Sequence, residues 1–463
     1  MLLANRFRMR GQTTGLRAGS RGPWSSGGVH RRRDAALASP WAEGAGDPFD
    51  DTGGLPDTNG MLVRVEVENF RSINAAVELS MVAVDTDREC VRPIPGTGVG
   101  VLPVAGILGP NASGKSNVLN ALRWLAQGVK ESMSDWTDGI PTEPFALISP
   151  PRPTTSFTVT VLVAGQVFEY LVDLTAESIE YEALFRLDGE DRVLVFEREG
   201  DEIVFAPEHE DRLRGTRLIL SSRALALSVM RERFGDRDVD GVARALVSIE
   251  VLRPETNLWL GFEESTLNAF EAGSPQRERA LSLLRLADLG ITDARVSPVD
   301  RLSGRTFWDR ELRLLHDSGN EPVPFTHDQE SAGTVKWLQT IGPALTALSR
   351  GSILLCDEID ASLHPTLTVE LLHLFQSMEM NPLGAQLIFT THDTNLLNHL
   401  NRDEVWLTHR DDDGSTSLRA LADFSGENVE QSRGLERSYL DGAFGALPDI
   451  RRYEVQRALG LVP

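Results

Sequence analysis

The stretch Gly109-Pro110-Asn111-Ala112-Ser113-Gly114-Lys115-Ser116 constrains this chain more than any other. Its G-x-x-x-x-G-K-[ST] spacing is that of a phosphate-binding loop, which has to lie between a buried strand and a helix. Both flanks are present. Residues 101–108 are apolar enough for a buried strand, and Val118, Leu119, Leu122 and Leu125 recur at helical spacing after the loop. Gly109 and Gly114 let the backbone bend and approach an anion without a Cβ in the way. Successive N–H groups then converge on one concavity at the positive end of the helix dipole. In such a loop Lys115 neutralises the β- and γ-phosphates and the Ser116 hydroxyl ligates Mg²⁺. The plain alternative, a Gly-rich turn that matches by chance, gives no reason for both flanks.

At 463 residues the chain has room for two or three domain-sized units. A net charge of −22 argues against indiscriminate nucleic-acid binding and leaves local DNA binding open. The two cysteines, Cys90 and Cys356, give neither a disulfide framework nor a metal spacing, and Cys356 sits in an apolar run that suits a small buried thiol. No stretch approaches the ~18 consecutive apolar residues of a membrane span, so no membrane association and a cytoplasmic location are expected.

Residues 1–33 hold eight arginines and no acid, whereas residues 34–60 hold six acids and no Lys or Arg. With Gly, Ser and Pro scattered throughout, residues 1–60 read as a disordered extension. An organelle transit peptide and a true start at Met61 are the other readings. From Met61 the pattern sharpens. Val63, Val65 and Val67 alternate with charged residues as in a half-buried strand, and Val77, Leu79, Met81 and Ala83 mark a second. After the loop–helix unit, residues 157–163, 167–174, 178–187, 192–197 and 202–205 read as an antiparallel meander. Residues 208–300 are mostly helical in pattern, with a helix expected to start at Ser274-Pro275. Residues 403–409 and 416–422 suggest a hairpin around Asp411-Asp412-Asp413-Gly414.

Two further apolar strands end in polar residues: residues 352–356 in Asp357-Glu358, and residues 385–390 in Thr391-His392-Asp393. Parallel strands ending this way place a ligand at their carboxyl edge. There Asp357 can hold Mg²⁺, Glu358 can polarise an attacking water, and His392 can sense a γ-phosphate. Ser331-Ala332-Gly333-Thr334 leads into a helical pattern, and a helix start of this kind is either a second anion site or a plain cap. Ser331 precedes Asp357 by 26 residues and His392 follows it by 35.

In the order of these motifs the sequence resembles ABC-type ATPases of the RecF/SMC class, and more closely the bacterial RloA-like and AbiEii-like AAA-domain ATPases. The resemblance rests on Asn69-Phe70-Arg71-Ser72-Ile73, on the loop through Asn117, on Ser331-Ala332-Gly333-Thr334, on residues 357–365, on residues 389–393 and on residues 439–448. It implies a P-loop fold of ABC-ATPase head type: a mixed, mostly parallel sheet with an antiparallel β-subdomain and a helical insertion. The expected units are 61–206 (Walker A lobe with the β-subdomain), 207–300 (helical insertion) and 301–463 (signature and Walker B lobe).

The resemblance further implies ATP and Mg²⁺ as cofactors and ATP hydrolysis as the activity. It makes residues 109–117 the Walker A site, Ser116 and Asp357 the metal ligands, Glu358 the catalytic base and His392 the switch histidine. Ser331, Gly333 and Thr334 become a signature that contacts ATP on a second copy, so that a homodimer sandwiches the nucleotide, and Asp360 joins its D-loop. Arg71 is implied near the nucleotide; its plain reading is a surface arginine ending a strand. The family setting implies defence against phage or mobile elements with a separate toxin or nuclease effector. A nucleotide-gated scaffold with little turnover is the alternative. The Q-loop has no convincing match, since Gln166 reads as part of a hairpin turn.

Three rivals are weaker. A GTPase needs an N-K-x-D motif, which Asn401-Arg402-Asp403-Glu404 does not supply. A ring-forming AAA+ core is too compact for the 242 residues between Lys115 and Asp357. The 71 residues after His392 are too few for a Toprim nuclease, and Asp411-x-Asp413 reads better as a polar turn than as a metal pair.

Overall fold

The computed structural model describes residues 60–189, 191–252, 262–287, 290–298, 310–319, 321–424 and 434–445, together with 457 and 459. The expected disordered extension, apart from Gly60, and residues 446–448 of the tail lie outside the described residues.

In chain order the first elements are β1 (Met61–Glu68), β2 (Val77–Ser80), β3 (Arg92–Ile94), β4 (Val99–Val101), β5 (Val104–Leu108) and α1 (Lys115–Asp135). The meander follows as β6 (Thr155–Val163), β7 (Gln166–Leu174), β8 (Ile179–Asp188), β9 (Asp191–Glu199) and β10 (Glu202–Phe205). Next come α2 (Pro207–Leu213), α3 (Ala226–Arg233), α4 (Arg237–Val247), β11 (Glu250–Leu252), α5 (Glu264–Phe270), α6 (Arg277–Leu286) and β12 (Ile291–Pro298). The remainder is β13 (Arg310–His316), β14 (Val323–Phe325), α7 (Ala332–Arg350), β15 (Ile353–Cys356), α8 (Pro365–Gln376), β16 (Gln386–Thr390), β17 (Val405–Arg410), β18 (Thr416–Ala420) and α9 (Leu435–Leu440).

The central sheet has the order β11-β15-β16-β5-β17-β18, and every pairing in it is parallel except β17–β18. Its inner strands β5, β15 and β16 are buried at every position and mostly apolar because both faces are covered. Ala105 and Ile107 of β5 face one core with Ile353, Leu355 and Ile388, whereas Val104 and Leu108 face the other with Leu354, Cys356, Leu387 and Phe389. On the first face lies α1, whose Val118, Leu122, Leu125 and Val129 join that core. A seven-stranded antiparallel sheet, β10-β9-β8-β7-β6-β1-β2, shares it. On the second face lie α8 and the C-terminal half of α7. The N-terminal half of α7 packs with α5, α6, β12 and β13 in a third cluster. The expected mixed, mostly parallel sheet with an antiparallel β-unit is therefore what the chain builds.

Three details differ from the sequence reading. Helix α6 begins at Arg277, with Ser274-Pro275 in the preceding turn, where Ser274 O accepts from Arg277 N. The stretch 207–300 is less purely an insertion than its pattern implies: α3 and α4 pack on α1, and β11 is an edge strand of the central sheet. A division at 300/301 also separates β12 from β13, which pair antiparallel across it. Cys356 is fully buried, as its apolar run implies, and burial pushes its thiol up to about 12. Among the described residues no helix is long and apolar enough to cross a membrane.

Candidate functional site at the carboxyl edge of the central sheet

Strand β5 is held between β16 and β17, and the chain leaves its end through Gly109. The loop closes at Gly114, whose φ of 97° places it in the left-handed region as the residue before α1. A Cβ there would collide with Thr416 Oγ1, so glycine is required by conformation and by space alike. Behind the loop runs a chain of hydroxyls. Ser113 and Thr408 share a hydrogen bond of 2.6 Å, Thr416 Oγ1 donates to Ser113 O (2.9 Å), and Ser72 and Thr416 share one of 2.7 Å. Asn117 Nδ2 donates to Ser72 Oγ (2.6 Å), so the first turn of α1 is tied to the same chain.

Lys115 is buried, and its ammonium donates to Gly109 O (2.9 Å) and Pro110 O (3.1 Å). Burial lowers its pKa, while the carboxylates of Asp357, Glu358 and Asp360 act in the opposite sense. A strong acceptor such as phosphate would satisfy this cation better than two neutral carbonyls. Ser116 Oγ donates to Asp357 Oδ1 (2.9 Å). A hydroxyl and a carboxylate oxygen side by side fit Mg²⁺, which binds hard oxygen ligands and commonly takes one carboxylate and substrate phosphates. Among the described residues no cluster of three or more His, Cys, Asp or Glu side chains could hold a metal by itself.

The ends of β15 and β16 are cross-braced. Thr390 Oγ1 donates to Asp357 Oδ1 (2.6 Å) and accepts from Glu358 N (2.7 Å). Thr391 Oγ1 donates to Asp360 Oδ1 (2.6 Å), which also accepts from His392 N (3.2 Å). Glu358 has a positive φ of 52°, strain that a non-glycine residue bears only where its surroundings impose it. Its carboxylate is exposed, as is the His392 ring.

A cleft of about 680 Å³ opens over the loop. Asn111, Ala112, Gly114, Lys115, Ser116 and Asn117 line it together with Glu358 and His392. Arg71, Leu147 and Arg410 also line it. Arg71 itself donates to Glu143 Oε1 (2.8 Å). Gly109, Pro110 and Ser113 support the loop from behind, and Asp357 contacts the site through Ser116. Ser331, Gly333 and Thr334 are not part of the cleft lining. Ser331 caps α7, accepting from Thr334 N (3.1 Å), and is exposed at the surface, while Gly333 packs against Ser362 O. Gln166 opens β7 in the meander, outside the cleft lining.

Sequence reasoning gave no role to Ser72 and Thr390 and did not single out Thr408 and Thr416, whose hydroxyls, with theirs, hold the loop and the acidic turn. It also missed the strap of residues 141–147. Asn69, at φ 53°, pins that strap: Phe145 N donates to Asn69 Oδ1 (3.0 Å), and Arg71 N donates to Glu143 O (2.6 Å). The left-handed Asn is the one signal available beforehand, because Asn tolerates that conformation better than other residues with a side chain.

Residues 104–398 match the family described as AAA domain, putative AbiEii toxin, Type IV TA system. No curated protein matches the sequence. Among solved structures, an SMC head domain from Thermotoga maritima is similar at 14% identity, covering 78% of this chain and 98% of its own, with a TM-score of 0.39. An Smc head domain with an extended coiled coil, bound to the C-terminal domain of ScpA derived from Pyrococcus furiosus, is similar at 13% identity, covering 82% and 98%, with a TM-score of 0.41.

Proposed function

The chain belongs to this AAA-domain, putative AbiEii-toxin family, and we propose that it binds ATP with Mg²⁺ and hydrolyses it to ADP and phosphate in an ABC-type head. The observation that carries this reading is the convergence on one cleft of Lys115, Ser116, Glu358 and His392, with Asp357 hydrogen-bonded to Ser116. Lys115 leaves its loop carbonyls for the β- and γ-phosphates, and the loop N–H groups take the remaining phosphate oxygens. Mg²⁺, held by Ser116 and Asp357, supplies charge neutralisation on the phosphates. Glu358 orients the attacking water and accepts its proton, and His392 donates to the γ-phosphate.

Ser331, Gly333 and Thr334 serve a second copy of the chain. Their position outside the cleft lining and the exposure of Ser331 support completion of each site by a partner's α7 N-terminus, with two nucleotides between two heads. The family description favours a cytoplasmic defence or toxin setting with a separate effector, which is an associational warrant. Glu358→Gln tests the reading. We expect phosphate release to stop while ATP binding persists, and light scattering to report an ATP-trapped dimer. Absence of Mg²⁺-dependent turnover in the wild-type protein sinks the hydrolase, and an ATP-loaded variant that stays monomeric sinks the sandwich.

A further inference from the structure

Two residues of the cleft lining, Leu147 and Arg410, belong to no motif. Leu147 lies on the strap that Asn69 and Arg71 pin through Phe145 and Glu143, so the backbone presenting it is fixed at two points. Phe145 is buried, yet two residues later Leu147 is 63% exposed, and it lines the cleft next to Ala146. Opposite, β17 ends at Arg410 and the hairpin turns through Gly414, whose φ is 83°. A Cβ on Gly414 would meet Leu147 Cδ1 at 2.6 Å and Arg410 Nη2 at 3.5 Å, so a leucine methyl and the guanidinium both lie against the bare glycine.

Arg410 is unusual in a second way. Two of the three neighbouring acids have other partners: Asp413 accepts from Ser415 and Asn74, and Asp411 from Ser417. The Arg410 guanidinium has no hydrogen-bond or ion-pair partner among the described residues, in a chain of net charge −22. An apolar surface beside an unpaired planar cation is what the face of an aromatic heterocycle stacks on.

We infer that Leu147 and Arg410 form the wall against which the nucleobase rests, and that the base is held by its face. The inference rests on the phosphate-loop reading above. Arginine offers donors only and leucine offers neither donor nor acceptor, so these side chains cannot require the amino group of adenine. The subsite therefore takes purine nucleoside triphosphates with little choice between ATP and GTP, because every base has a π-face.

Titration calorimetry of the full chain with Mg²⁺ and ATP, GTP or inorganic tripolyphosphate tests this. ATP and GTP should bind the wild type within about fivefold of each other. Leu147→Asp and Arg410→Ala should each weaken both nucleotides by about tenfold and leave tripolyphosphate within about twofold, whereas Leu147→Met should keep wild-type affinity. Lys115→Ala should abolish binding of all three. Unchanged ATP affinity in Leu147→Asp overturns the base wall while leaving the phosphate loop standing. An equal loss of ATP and tripolyphosphate in Arg410→Ala makes Arg410 a phosphate ligand and overturns its part in the wall. A wild type that binds neither ATP nor tripolyphosphate overturns the phosphate-loop reading and this inference with it.

Discussion

Thr390→Val removes one hydroxyl that serves two groups of the acidic turn. The native side chain donates to Asp357 Oδ1 at 2.6 Å and accepts from Glu358 N at 2.7 Å, and valine keeps its volume while doing neither. A hydrogen bond to a charged acceptor contributes roughly 1.5–3 kcal/mol. Asp357 Oδ1 retains the Ser116 bond, so the low half of that range applies to it. The Glu358 N–H loses its partner, which releases the positive-φ backbone from which the carboxylate projects. If about 2 kcal/mol of this is felt at the transition state, kcat falls about 30-fold. The triphosphate contacts of Lys115 and the loop are untouched, so KM for ATP should stay within about threefold, and the Mg²⁺ concentration for half-maximal rate should rise. Steady-state phosphate release across an Mg²⁺ series reads all three quantities, and Thr390→Ser should recover most of kcat. A Thr390→Val enzyme within twofold of wild-type kcat, at unchanged Mg²⁺ demand, refutes the reasoning.

Two other perturbations probe the frame around the site. Gly114→Ala forces a Cβ at φ 97° against Thr416 Oγ1 and should lose ATP binding and about 1–3 kcal/mol of stability, read by calorimetry and urea unfolding; wild-type values for both would contradict the close approach. Glu78 on β2 is pushed up to about 7, first by burial and then by the charges of Glu66 and Asp423, against the opposing pull of Arg64. The ion pair with Arg64 at 3.0 Å does not hold it down, because the same guanidinium also lies within 4 Å of Glu66 and Glu169. The unfolded chain ionises this group near 4.5 and the folded chain near 7, so the folded state binds more protons in between and stability falls as pH rises through that window. Relative to wild type, Glu78→Gln should therefore gain about 2–3 kcal/mol in urea unfolding between pH 5 and pH 8; a pH-independent difference would place the proton elsewhere.

The parts of this site that could be read in advance share a property: each occupies one continuous run. The loop at 109–116 states its turn, its cation and its helix within eight residues, and Asp357-Glu358 and His392 each close an apolar strand. What escaped reading is built from single residues far apart in the chain. Thr408 and Thr416 approach Ser113 because β17 pairs with β5 and β18 with β17, and nothing in a lone threonine on a strand announces that neighbour. The strap carrying Leu147 is irregular chain with no periodicity to detect, fixed by an asparagine some 76 positions earlier. The start of α6 was displaced by two residues because Ser274-Pro275 forms a turn just ahead of the helix, a common ambiguity of N-terminal signals.

The position of β5 in the central sheet governs the order in which this molecule can assemble. Both of its neighbours, β16 and β17, come from the far end of the sequence, and Thr408 Oγ1 meets Leu108 O across 300 residues. At roughly 5–20 residues per second, a ribosome needs on the order of 15–60 s to deliver those partners. During that interval the antiparallel sheet of β1, β2 and β6–β10 can pair once β10 has emerged, but Val104–Leu108 has no edge to join. A nascent chain therefore carries an unpaired, wholly apolar strand ahead of the 109–116 loop until those partners emerge. The nucleotide cannot act as a folding template until β16 and β17 have emerged, and until then the open edges of that strand are free to pair with others.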